Sequence, residues 1–113
     1  MIEINDFLKG QISNYIYQVK AGSKPIAVES VQTRYIDEAV SMIDKNQLYV
    51  YVEDVEGYPG WKTVFIYKYK YLIDIIKGLP HSPQTPYDHW VLGKALGYSE
   101  HAIEEFLLPK KPI

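Results

Sequence analysis

Cysteine is absent from this chain of 113 residues, which excludes disulfides, thiolate nucleophiles and cysteine-based zinc or iron–sulfur sites. No apolar run approaches the ~18 residues of a membrane span. The first residues contain neither the basic nor the apolar segment of a signal peptide. We therefore expect a cytoplasmic protein that has no membrane partner.

Positive charge is scarce as well. Lysine and arginine number 12 against 14 aspartates and glutamates, a formal net charge of −2. Because non-specific affinity for nucleic acids comes mainly from neutralising phosphates, this balance speaks against a general nucleic-acid binder.

Tyrosine, in contrast, is abundant, with 11 residues. Its side chain offers a large, stiff, amphipathic contact surface and is enriched at protein interfaces. A tyrosine-rich wall of the core, with hydroxyls that reach water, explains the same excess. Composition alone leaves both interpretations open.

Hydrophobic periodicity predicts one domain over 1–108 and a short C-terminal tail over 109–113. The predicted helices are 5–20, 33–46, 71–77, 86–97 and 99–108. The predicted strands are 25–31, 48–53 and 61–70, the last two forming a hairpin around a Gly- and Pro-containing loop. The residues expected to cap or end helices are Asn5 or Asp6, Gly22, Thr33, Thr85 and Ser99.

The resulting fold class is α+β, in the order α-β-α-β-β-α-α-α. Residues 25–77 have the β-α-β-β-α order of a ferredoxin-like half whose last strand is missing. A right-handed crossover would set the first strand parallel to the second. We therefore predict a three-stranded mixed sheet with a C-terminal helical hairpin.

Two-residue alternation gives the hairpin two different faces, one aliphatic and one aromatic. The aromatic positions are Tyr49, Tyr51, Trp61, Phe65, Tyr67 and Tyr69. A short helix cannot cover six rings, so we expect the N-terminal helix or the hairpin 87–108 to bury the inner rings and leave the rim exposed. An RNA platform would need cations around the rings, but Lys62, Lys68 and Lys70 alternate onto the other face or its margins.

Residues 87–107 resemble a helix-turn-helix, with a Leu96-Gly97 turn and a Ser99 cap. The helix that would read the DNA shows Glu100 and two further glutamates, and no Lys or Arg lies between residues 99 and 108. Carboxylates that face phosphates are repelled. A structural helical hairpin therefore explains this segment better than DNA reading, although the sequence does not decide between them.

Catalytic and metal-binding motifs are not found. Residues 57–63 only partly match a phosphate-binding loop, because Trp61 separates Gly60 from Lys62 and a strand follows. His81, His89 and His101 do not have the spacing of metal ligands. No serine lies in a nucleophile elbow. We therefore predict a protein that is not an enzyme and has no catalytic residue, cofactor or metal.

Four segments resemble small accessory proteins encoded by phages and prophages of Bacillus-type bacteria. These segments are 24–28, 49–54, 60–63 and 89–99. The resemblance implies a non-enzymatic protein that grips a host protein, as inhibitors of anti-phage defence do, including inhibitors of NAD-depleting abortive-infection proteins. It carries over no functional residue.

The sequence thus predicts a protein-binding module that blocks a larger host protein. Its alternative is a nucleic-acid-binding accessory protein that uses the helix-turn-helix-like hairpin. The sequence leaves the oligomeric state open. Because the binding energy of an interface is concentrated in a few aromatic side chains, we look for the partner contacts among the aromatic residues. The predicted partner contacts are Tyr49, Tyr51, Tyr58, Trp61, Tyr67 and Tyr69.

Overall fold

The computed structural model of the chain describes residues 5–80 and 83–107. Within them it has three strands and five α-helices, which confirms the predicted α+β class. The elements are α1 (Asp6–Ala21), β1 (Ile26–Gln32), α2 (Ile36–Lys45), β2 (Tyr49–Asp54), β3 (Trp61–Tyr67), α3 (Leu72–Gly78), α4 (Pro86–Ala95) and α5 (Glu100–Leu107). A 3-10 turn (Thr33–Tyr35) precedes α2. The predicted tail, 109–113, lies outside the described residues.

The three strands form one antiparallel sheet in the order β1–β3–β2. The predicted mixed sheet is therefore wrong. β1 and β2 do run in the same direction, since both pair antiparallel with β3, but β3 lies between them. The physical reason is that β3 is the most apolar strand, with all of its residues 64–67 buried, and the central place buries both of its faces.

The aliphatic face of the sheet packs on α1 and α2. Its fully buried centre is formed by Val64 and Ile66 of β3, and Val50 and Val52 of β2 are half-buried beside them. The buried residues of this core are Leu8, Ile12, Ile16, Val19, Ala27, Val31, Tyr35, Ala39, Ile43, Leu48, Val64 and Ile66.

Local signals set most helix boundaries. The Leu8 amide donates to the Asn5 side chain at 2.8 Å, and Gly22 ends α1 with a φ of 85°. Thr33 does not cap α2 as predicted. Its hydroxyl, the group that would cap a helix, donates instead to the Pro59 carbonyl of the hairpin loop at 3.5 Å. Its amide donates to the Gly60 carbonyl at 2.9 Å, and α2 begins only at Ile36, after the 3-10 turn.

The aromatic face of the sheet is covered by α3. Leu72 and Ile76 of this helix pack on Phe65 and Tyr67, and the C-terminal end of α4 reaches the same cluster. Of the two predicted covers, α1 packs on the aliphatic face instead, and the hairpin 87–108 contributes only the end of α4. The cover by α3 was not predicted. Strand β3 ends at Tyr67 rather than at residue 70, and residues 68–71 turn the chain back so that α3 lies over the rings.

Candidate protein-binding surface

The register of the sheet arranges the aromatic face in rows. Each row runs from β1 through β3 to β2. The rows are Ile26–Tyr67–Tyr49, Val28–Phe65–Tyr51 and Ser30–Thr63–Glu53, with Gln32–Trp61 at the end.

Helix α3 covers the first two rows over β1 and β3, and Tyr49 at the β2 end of the first row stays 43% exposed. Phe65 and Tyr67 are 4% and 5% exposed, whereas Trp61 is 42% exposed. Ser30 is exposed and Thr63 is half-buried. The predicted pattern of buried inner rings and an exposed rim is therefore confirmed. We call the third row and the Gln32–Trp61 row the open half of the aromatic face.

The hairpin loop, 55–60, borders the open half and holds Tyr58, which is 63% exposed. The Tyr58 amide donates to the Val55 carbonyl and the Trp61 amide to the Tyr58 carbonyl, both at 3.0 Å. Together with the hydrogen bond from Thr33 to Gly60, these bonds order the loop before any partner arrives. Such preorganisation lowers the entropic cost of binding.

Polar groups lie beside Trp61. Gln32 is its partner on β1, and Arg34 Nε donates to the Gln32 side chain at 2.8 Å. Lys62 forms an ion pair with Asp54 on the opposite, aliphatic face of the hairpin. An aromatic centre with a polar margin is the usual composition of a protein interface.

Tyrosines also gather at the opposite end of the sheet. Tyr49 stacks on Tyr67 with ring centroids 5.7 Å apart, and Tyr69 stacks on Tyr71 at 5.6 Å. Tyr71 is exposed and was not predicted as a contact, because the sequence predicts the start of a helix at this position. Its spacing of two residues from Tyr69 was the sequence feature that could have indicated a shared surface.

The six predicted contacts therefore do not form one cluster. Six residue steps of β3 separate Trp61 from Tyr67, about 20 Å at the rise of a strand. Trp61 and Tyr58 lie at the loop end, Tyr49 and Tyr69 at the other end, and Tyr51 is half-buried between them. Tyr67 is buried, so its ring offers no contact surface in this structure.

Two phenols of the aromatic face have a raised pKa. Burial raises the pKa of Tyr51, and the charge and hydrogen bond of Glu53 raise it further. Burial and the neighbouring Tyr49 raise the pKa of Tyr67. Both shifts favour the neutral hydroxyl of these two residues.

Helices α4 and α5 form a closely packed hairpin. Thr85 and Asp88 make the predicted capping box, and the Ala102 amide donates to the Ser99 hydroxyl at 3.1 Å. A Cβ added at Gly93 would lie 2.8 Å from Ile103 Cγ1, so glycine permits the close approach of the two helices.

The outer side of this hairpin is acidic, with Glu100, Glu104 and Glu105 exposed on α5. An apolar groove with a cavity of about 380 Å³ lies between α4 and α5. Its lining includes His89, whose ring centroid lies 5.2 Å from that of Phe106.

The described residues hold no group of three or more His, Asp or Glu side chains that could bind a metal ion. His101 Nε2 lies 3.0 Å from Glu105 Oε1 in an exposed pair on α5, and His81 lies outside the described residues. Among the helices of the described segments, none is both long enough and apolar enough to span a membrane.

No protein-family model matches the chain, and no curated protein matches it.

Proposed function

We propose that this chain is a non-enzymatic protein-binding module that docks on a larger protein through the open half of its aromatic face. The observation that carries the proposal is the incomplete cover of this face by α3. Phe65 and Tyr67, the β3 members of the covered rows, belong to a buried core, whereas Trp61 and Tyr58 extend the same aromatic surface into water.

Trp61 and Tyr58 are the anchors of this surface. Tryptophan and tyrosine dominate interface energetics, and each anchor that enters a pocket of the partner contributes about 2 kcal/mol or more. Both residues lie on an ordered hairpin end, so little conformational entropy is lost when a partner binds.

The kind of partner follows from the resemblance to small phage and prophage proteins. Such proteins act by gripping a host protein, so the partner proposed here is a larger cytoplasmic host protein, and the effect is inhibition of its defence activity. The chain would act by occlusion and would need no cofactor.

Affinity capture from a host lysate, followed by titration with the captured protein, tests the proposal. We expect Trp61→Ala to weaken binding about 30-fold, the equivalent of about 2 kcal/mol, with a smaller loss for Tyr58→Ala. Tyr17→Ala is the matched control, because Tyr17 is an exposed tyrosine of α1, a helix packed on the other face of the sheet.

Equal binding by Trp61→Ala, Tyr58→Ala and the unaltered chain would show that this surface is not the contact. Tyr67→Ala is unsuitable as a test, because removal of a buried ring destabilises the fold whether or not a partner touches it.

A further inference from the structure

The two outer strands of the sheet differ in how their free edges are protected. In the segments described, β1 and β2 each pair with β3 alone. Unpaired edges invite the addition of another strand, and proteins guard them with inward-pointing charges, among other devices. β1 has such a charge, because Glu29 lies mid-strand on the aliphatic face, half-buried and opposite Val64.

β2 has no such guard over its first four residues. Positions 49–52 alternate tyrosine and valine, two residue types that favour strands, and contain no charge and no proline. The acidic residues of the strand, Glu53 and Asp54, are confined to its C-terminal end.

The side chains of β2 are incompletely covered on both faces of the sheet. Val50 and Val52 are half-buried on the aliphatic face; on the aromatic face Tyr51 is half-buried and Tyr49 is 43% exposed. Over residues 64–67 of the central strand β3, every side chain is buried. A strand added beside β2 would place side chains next to those of β2 on both faces of the sheet, as β1 and β2 do for β3.

We propose that the occupant is β2 of a second copy of this chain, paired antiparallel about a two-fold axis at Tyr51. The two three-stranded sheets then join into one continuous sheet. Facing residues must point to the same side of that sheet. Tyr51 therefore faces Tyr51 of the second copy, Val50 faces Val52, and Tyr49 faces Glu53.

Charge favours this arrangement over a parallel one. In the antiparallel register the acidic ends of the two strands lie apart, whereas a parallel pairing would set each acid beside its own copy, and like charges in facing positions are destabilising. Lys77 would also attract Glu53 of the second copy. The Lys77 ammonium lies 5.6 Å from the centroid of the Tyr51 ring. In the proposed register Glu53 of the second copy is diagonal to Tyr51, within reach of a long side chain.

This interface is separate from the proposed function, which uses Trp61 and Tyr58 at the loop end. The self-association test uses the purified chain alone. A monomeric chain that still binds its partner through Trp61 would overturn this inference and leave the proposed function intact.

Sedimentation equilibrium tests the pairing. We expect the mass to rise from 13.1 kDa toward twice that value over the micromolar range, as for a weak interface formed by one short strand of each copy. Tyr51→Lys and Tyr51→Glu should each weaken self-association about tenfold or more, because like charges then face each other. An equimolar mixture of the two variants should restore it. The matched controls, Tyr17→Lys and Tyr17→Glu, change an exposed tyrosine of α1 and should leave self-association unchanged.

Tyr51 is half-buried, so a second pair of variants at the more exposed Tyr49 covers the case in which the Tyr51 variants do not fold. Tyr49 faces Glu53 of the second copy, so Tyr49→Lys should preserve or strengthen association, whereas Tyr49→Glu should weaken it about tenfold. A monomer at millimolar concentration, or equal effects of Lys and Glu at Tyr49, would overturn the inference.

Discussion

Glu29 illustrates how a single residue sets a pH dependence. Its carboxylate is half-buried on the aliphatic face of β1, near the Tyr15 phenol of α1, whose pKa it helps to raise. Burial raises the pKa of Glu29 above 4.5, and a hydrogen bond from the Ser30 backbone partly opposes this shift. Folding therefore favours the protonated acid.

The sign of the effect on stability follows directly. The contribution of Glu29 is fully present below pH 4.5 and is lost as the pH rises through the higher pKa of the folded state. We therefore predict that Glu29→Gln raises the melting temperature at neutral pH by a few degrees and leaves it nearly unchanged well below pH 4.5. Glu56→Gln, on the exposed hairpin loop, is the control. A variant difference that does not depend on pH would contradict the assignment.

At the scale of elements, the contact between Gly93 and Ile103 determines how closely α4 and α5 pack. We predict that Gly93→Ala lowers the free energy of unfolding by about 1–3 kcal/mol, since the new methyl group would lie 2.8 Å from a buried side chain. Urea unfolding measures the change.

Two comparisons make this prediction specific. Gly10→Ala, in α1, meets nothing within 4 Å and should stabilise the protein by about 0.5–1 kcal/mol through helix propensity. In the Ile103→Ala background the clash is absent, so Gly93→Ala should there stabilise rather than destabilise. An unchanged cost in that background would show that the helix contact is not its cause.

At the scale of the whole molecule, local sequence patterns predicted the helices and strands. They did not predict which strands pair or which helix covers each face of the sheet. Alternation separated the aliphatic and aromatic faces of the hairpin correctly, because side-chain direction is a property of each strand. The place of β3 between β1 and β2 depends on which strand gains most from burial on both faces. Likewise, α3 can cover the rings only because the chain turns at residues 68–71. The alternation of lysine and tyrosine there, through Lys68 and Lys70, predicted a continuing strand instead.

The candidate surface shows the same division. Periodicity placed Trp61 and Tyr67 on one face, but only the tertiary packing of α3 reveals that Tyr67 is buried and Trp61 is not. Thr33 has a residue type suited to a helix cap, but its hydroxyl donates to the Pro59 carbonyl of the hairpin loop, 26 residues away in sequence. Both outcomes rest on contacts between distant segments.

The distribution of charge over the whole molecule bears on the alternative function, in which α4 and α5 bind nucleic acid. The net charge is −2, and α5 presents Glu100, Glu104 and Glu105 to solvent where a reading helix would face phosphates. We predict no gel shift of duplex DNA by the unaltered chain even at low salt. The variant with Glu104→Lys and Glu105→Lys should gain weak, non-specific binding that salt abolishes, because the repulsion is then replaced by attraction. Binding by the unaltered chain that weakens steeply with salt would instead favour the nucleic-acid function, and it would show that basic groups elsewhere on the molecule outweigh the acidic helix.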